Sequence, residues 1–114
     1  MNTNQTKIEF GFGVELTKDQ TRINPDAVPE LLGFVRDLVL THFDGCAFTR
    51  TEGAWRNPAG HTYVERGYTL MILTDAAESP RLFNAVNKIV AEIKFLFQQE
   101  AVAVTLTPVN FSIL

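Results

Sequence analysis

Residues 7–16 read Lys7-Ile8-Glu9-Phe10-Gly11-Phe12-Gly13-Val14-Glu15-Leu16. Ile8, Phe10, Phe12, Val14 and Leu16 fall on one face, and Glu9, Gly11, Gly13 and Glu15 on the other. A period of two sustained over ten residues is the pattern of a strand with one face in a core and one outside it. The two glycines weaken the strand, and they let another group come close to its backbone on the non-core side.

The elements that follow supply cover for the apolar face. Polar residues 17–24 form a loop, after which Asn24-Pro25-Asp26 opens a helix. Asp26 is the expected N-cap, placing Pro29 at the third helical position, where a missing N–H costs no intrahelical bond. Val28, Leu31, Leu32, Val35, Leu38 and Val39 recur at three and four and make one apolar stripe. Asp44-Gly45 is the expected stop, with Gly45 in the left-handed position. Residues 46–55 and 61–74 read as two strands joined by Arg56-Asn57-Pro58-Ala59-Gly60, a hairpin. Ser79-Pro80 caps a second helix lined by Leu82, Val86, Ile89, Val90, Ile93 and Leu96 or Phe97. A last strand runs from Ala101 to Leu106 and is interrupted by Pro108. An apolar tail, Val109 to Leu114, follows it.

The order is strand, helix, strand, strand, helix, strand. This is the split βαβ or ferredoxin-like arrangement, βαββαβ, an α+β fold with two helices on one face of a four-stranded antiparallel sheet. One such domain accounts for residues 1–114, with residues 1–6 expected as a flexible N-terminus.

Composition sets outer bounds. With 114 residues, 46% hydrophobic and 20% charged, the chain holds one domain and buries roughly 65% of its unfolded surface without a disulfide or metal staple. The net charge of −3 disfavours general nucleic-acid binding, which needs a basic face. The first seven residues are polar, with no basic segment leading into an apolar run. No apolar run approaches the ~20 residues that span a bilayer. A cytoplasmic protein without membrane attachment is therefore expected. Cys46 stands alone among apolar neighbours and reads as a small buried hydrophobe.

A two-layer fold leaves one sheet face open. Glu9, Gly11, Gly13 and Glu15 belong to it, with small residues Ala101, Ala103 and Thr105 from the last strand. The hairpin contributes either Thr49, Thr51 and Gly53 or Cys46, Phe48 and Arg50. The third strand is large on both sides, with Tyr63, Glu65, Thr69, Met71 and Leu73 against Val64, Arg66, Tyr68, Leu70 and Ile72. Such a strand has its second face partly covered too. Together with the apolar tail, this leads to the expectation of a homo-oligomer, a dimer in the simplest case.

Chemistry-bearing residues are sparse. His42 and His61 are far apart, no His/Cys/Asp cluster has ligand spacing, and neither a metal nor a cofactor is expected. His42 reads as a residue of the last helical turn and His61 as exposed after the hairpin turn. Gly11-Phe12-Gly13 lies inside a strand and lacks the third glycine and helix of a nucleotide loop. The one polar-aromatic concentration joins 49–55 to 63–68. Glu65, if half-buried at a contact between copies, is a candidate general acid or base. Its structural alternative is a salt bridge to Arg50, Arg56 or another cation. Trp55 reads as packing the hairpin end, and Glu100 as stabilising the turn before the last strand.

Gly53-x-Trp55, Gly60, Glu65 and the closing Phe97-x-Gln99-Glu100-Ala101-Val102, with Phe10-Gly11 in the first strand, resemble a bacterial domain-of-unknown-function family of ferredoxin-like outline. That family closes on a similar Phe-x-Gln-Glu-(Ser/Ala)-Val motif. The resemblance covers roughly residues 8–111. It implies no activity, but it nominates Trp55, Glu65, Gln99 and Glu100.

Two functions follow as expectations. The first is an oligomeric binding or interaction module that uses its open sheet face for a partner or small molecule, with Trp55, Arg66, Tyr68, Gln99 and Glu100 on that surface. The alternative is a cofactor-free enzyme of the dimeric α+β barrel type (monooxygenase, isomerase or lyase). There Glu65 is the base, and His61, Arg66 or Tyr68 orients the substrate.

Overall fold

The computed structural model describes residues 2–75 and 79–112. Its elements are β1 (Asn2–Gly13), a 3₁₀ turn (Pro25–Ala27), α1 (Val28–Leu40), β2 (Ala47–Arg56), β3 (Thr62–Thr74), α2 (Pro80–Leu96) and β4 (Ala103–Ser112). All strand pairs are antiparallel, and the order across the sheet is β2-β3-β1-β4. The expected ferredoxin-like α+β fold is the one observed.

Register assigns the faces. Phe10 stands beside Leu70 and Val104, Ile8 beside Ile72 and Leu106, and Phe12 beside Tyr68. This face meets Val28, Val35 and Val39 of α1 and Leu82, Ala85, Val86, Ile89 and Ile93 of α2. Phe97 is fully buried at the end of α2 and packs its ring against Phe12, with centroids 5.2 Å apart. The start of α2 is capped as its sequence suggests: Ser79 Oγ accepts a hydrogen bond from the Leu82 amide at 3.2 Å.

Several boundaries differ from the sequence reading, each for a local reason. Residues 2–6 pair with β4, Asn2 opposite Ser112 through Thr6 opposite Pro108, where a flexible lead-in was expected. β1 leaves the sheet after Gly13, so Glu15 is not on the open face, and Leu16 is exposed while bridging to Arg22. Asn24, not Asp26, caps the start of the first helical segment. Its Oδ1 accepts from the Asp26 amide at 3.0 Å, and Pro29 falls at the second position of α1. α1 stops at Leu40, four residues short of Asp44, and Gly45 carries no left-handed backbone. His42 thus lies in the turn beyond the helix. β4 runs through Pro108 because it is an edge strand, where a missing N–H facing outward breaks no ladder bond. Val109 to Ser112 continue that strand, and residues 113–114 of the expected apolar tail lie outside the described residues.

Element lengths determine what the helices can cover. β3 has 13 residues, a reach of roughly 43 Å at strand rise. α1 also has 13 residues, but only about 20 Å at helical rise. The β2–β3 hairpin therefore outruns both the helix layer and β1, whose pairing with β3 ends at Gly13 opposite Gly67. Beyond that point it is a two-stranded ribbon, and nearly all its residues are exposed.

Candidate functional site

The ribbon and the sheet end beneath it carry two distinct sets of polar side chains, one on each face. On the open face the pairs run Thr51 with Gly67, Gly53 with Glu65 and Trp55 with Tyr63. The alternative for β2 is thereby resolved: Thr49, Thr51 and Gly53 face outward, while Phe48 and Arg50 face the helices. Trp55 and Tyr63 stack with ring centroids 4.4 Å apart and planes 16° from parallel. Both remain about half exposed, at 54% and 45%.

One step along, Glu65 reaches across the neighbouring strand and lies over Gly13. A β-carbon on Gly13 would collide with Glu65 Oε1 and would stand 3.4 Å from Gln99 Oε1. The glycine in β1 thus admits a close approach, and what approaches is the chain's own half-buried carboxylate. Among the described residues, the Glu65 side chain has neither a hydrogen-bond partner nor an ion pair. The expected salt bridge to Arg50 or Arg56 is absent. Arg50 instead donates from Nε to Tyr68 Oη at 3.1 Å.

Gln99 is positioned by the end of α2. Its amide N–H bonds to Lys94 O at 3.1 Å, and its Nε2 donates to Leu16 O at 2.7 Å and Phe97 O at 2.9 Å. The preceding Gln98 adopts a left-handed backbone, φ 49°, which ends the helix. The turn role expected of Glu100 is carried by Gln98 and Gln99; Glu100 is exposed.

The structure therefore brings Trp55, Glu65 and Gln99 to one side of the sheet, joined by Tyr63, which strand pairing sets against Trp55. It does not bring His61 to Glu65. His61 sits in the hairpin turn, its amide held by Asn57 Oδ1 at 2.9 Å, roughly 13 Å along the strand from Glu65. Arg66 and Tyr68 lie on the opposite, helix-facing side, so within one chain they cannot orient a substrate held at Glu65.

Arg66 and Tyr68 belong instead to a cleft of about 510 Å³ between the hairpin, the loop after β1 and the start of α1. Arg22, Arg50 and Arg66 line it, with Ile23, Val28 and Pro29 supplying an apolar wall. Arg22 escaped the sequence reading because only the folded loop carries it to the hairpin. Glu15, also at this cleft, accepts a hydrogen bond from the Arg66 backbone amide.

Cys46 is half-buried against the core. Burial pushes its thiol pKa up, partly offset by the Arg36 guanidinium. Among the described residues, no three His, Cys, Asp or Glu side chains group to hold a metal ion, and no helix is long and apolar enough to cross a membrane.

Comparison with solved structures places the fold among known ones. A phage SAM lyase in complex with S-methyl-5'-thioadenosine superposes with a TM-score of 0.62 at 14% identity, covering 96% of this chain and 90% of that one. A phage SAM lyase in the apo state gives 0.62 at 15% identity, with coverages of 98% and 89%. The periplasmic divalent cation tolerance protein CutA from Archaeoglobus fulgidus gives 0.54 at 6% identity, with coverages of 96% and 87%. Identities this low speak for the fold alone. No curated protein matches the chain by sequence. The family model that does match spans residues 7–113, and the chain belongs to the protein family of unknown function DUF3574.

Proposed function

We propose that the protein is a self-associating binding domain whose open sheet face and hairpin ribbon meet a second copy of the chain. One observation carries this reading. Among the described residues the ribbon beyond Gly67 has neither a third strand nor a helix to pack on, yet it displays Trp55 and Tyr63 on one face and Val64, 60% exposed, on the other. An isolated two-stranded hairpin is marginal in water, and aromatic side chains gain most when a partner covers them. The outer edge of β2 supports the same reading. It is ten residues long, contains neither Lys nor Pro, and presents an unpaired row of backbone groups among the described residues.

Trp55 is the chain's single tryptophan, so its emission reports on the ribbon alone. Association covers the indole, and dilution should shift its emission to longer wavelength as copies separate. A spectrum typical of exposed indole, unchanged across the accessible concentration range, would count against the proposal.

The cofactor-free enzyme is a second reading, favoured by the unpartnered Glu65 carboxylate over Gly13 beside the stacked aromatic pair. A partner's surface closing over that pair would leave Glu65 as a proton acceptor in a partly dry site. The architecture is compatible with lyase chemistry, since a phage SAM lyase shares it. Glu65→Gln keeps the shape and removes the base. It should leave association intact while abolishing any turnover found, and a variant that retained turnover would dismiss Glu65 from that role.

A further inference from the structure

The cleft on the helix-facing side has a character of its own. Three of the chain's ten Lys and Arg residues line it, on a protein whose net charge is −3. Arg22 comes from the loop after β1, Arg50 from β2 and Arg66 from β3. Among the described residues none of the three guanidinium groups forms an ion pair. Two carboxylates, Glu15 and Glu52, line the same cleft and leave it one net positive charge, but neither is ion-paired with an arginine. Glu15 is held by the Arg66 backbone amide, and Glu52, directly across the ladder from Arg66, makes no ion pair with it. Arg50 is oriented by its Nε bond to Tyr68 Oη, which leaves its two terminal nitrogens free to donate.

Planar guanidinium groups arriving from three separate segments suit an oxyanion, which accepts paired N–H bonds from each. A volume of about 510 Å³ with Val28 and Pro29 on one wall falls in the usual range for small organic ligands. We propose that this cleft binds a small organic anion, a carboxylate or phosphoryl group held by Arg22, Arg50 and Arg66, with an apolar or aromatic body against the start of α1. The site is separate from the open face and does not depend on self-association there.

The test uses the fluorescent anion 8-anilinonaphthalene-1-sulfonate titrated into the full chain. Saturable binding at one site per chain is expected. Arg50→Gln and Arg66→Gln should each weaken it about tenfold, the scale of a lost charge-assisted hydrogen bond. Arg36→Gln, at a residue engaged with Asp37 on the exposed side of α1, should leave it unchanged. Trp55→Ser should also leave it unchanged, which separates this cleft from the ribbon. Displacement by inorganic phosphate assigns a phosphoryl head group, and displacement by benzoate alone assigns a carboxylate. The proposal is overturned if neither competes, if the two arginine variants bind as the unmodified chain does, or if Trp55→Ser abolishes the signal. Circular dichroism of each variant confirms that the fold is retained.

Discussion

Replacing Trp55 by Ser separates what the ribbon does for its own chain from what it does for an assembly. Within one chain, Trp55 contacts Tyr63 in a stacked pair at 4.4 Å, an arrangement that contributes about 0.5–1.5 kcal/mol. The indole is 54% exposed; taking about 250 Å² for a large aromatic side chain, roughly 130 Å² remains in water. Covering that area at about 25 cal/mol per Å² yields roughly 3 kcal/mol per chain. A symmetric dimer covers two such indoles, so the total is roughly 6 kcal/mol, about four orders of magnitude in a dissociation constant. Trp55→Ser should therefore lower the unfolding free energy of the dissociated chain by only about 1 kcal/mol, read by urea titration followed by circular dichroism. The same variant, which lacks the indole in both copies, should weaken association by roughly four orders of magnitude, read by sedimentation velocity over a concentration series. Equal association of variant and unmodified chain would refute the reasoning, because the exposed indole would then have no partner. A large loss of intrinsic stability would also refute it, since the ring would be serving the chain's own core.

Three further outcomes test the architecture beneath the ribbon. Gly67→Ala should destabilise the fold by about 3 kcal/mol, the upper end for overpacking, because its β-carbon would run into the Phe12 carbonyl, which as backbone cannot swing aside; a thermal melt within a degree or two of the unmodified chain would contradict this register. Phe97→Ala removes a fully buried ring packed on Phe12 and should cost about 3–5 kcal/mol, visible as a large fall in the urea midpoint. The Cys46 thiol, its pKa raised by burial with Arg36 only partly compensating, should be alkylated along a pH profile displaced upward from that of a free cysteine. The sign of the linked stability follows: the folded state holds this proton more tightly, so the contribution is intact below the unfolded thiol's pKa. It is lost as pH rises through the folded one. A Cys46→Ala chain should lack that alkaline component, and an identical alkaline decline in both chains would exclude Cys46 as its source.

Much of this fold was legible because its signals are periodic. The alternation at Ile8, Phe10 and Phe12 and the stripe from Leu82 to Ile93 follow directly from the geometry of strand and helix, and all of those residues are buried except Val90, which is half-buried against the core. The misread positions are those where pairing, not burial, decides. Residues 2–6 have no apolar alternation, yet they form strand because β4 offers them a hydrogen-bonding edge. Pro108 reads as a strand breaker, and only the position of β4 at the sheet edge makes it harmless. Gly45 looks like a helix stop, but the chain turns earlier, with Thr41 Oγ1 donating to Leu38 O at 2.7 Å.

The candidate sites divide along the same line. Trp55, Glu65 and Gln99 were nominated by resemblance, and they converge through Gly13, whose lack of a β-carbon is a sequence feature that announces a close approach without naming its partner. Arg66 and Tyr68 do not join them, because strand parity puts both on the face opposite Glu65. The arginine cleft could not be foreseen, because Arg22 meets Arg50 and Arg66 only through the path of the loop after β1.

Whether the ribbon and open sheet face meet a second copy is read most directly from multi-angle light scattering of the unmodified chain at micromolar concentration. A mass of at least twice the 12.8 kDa of one chain is expected. A single species of 12.8 kDa would contradict it.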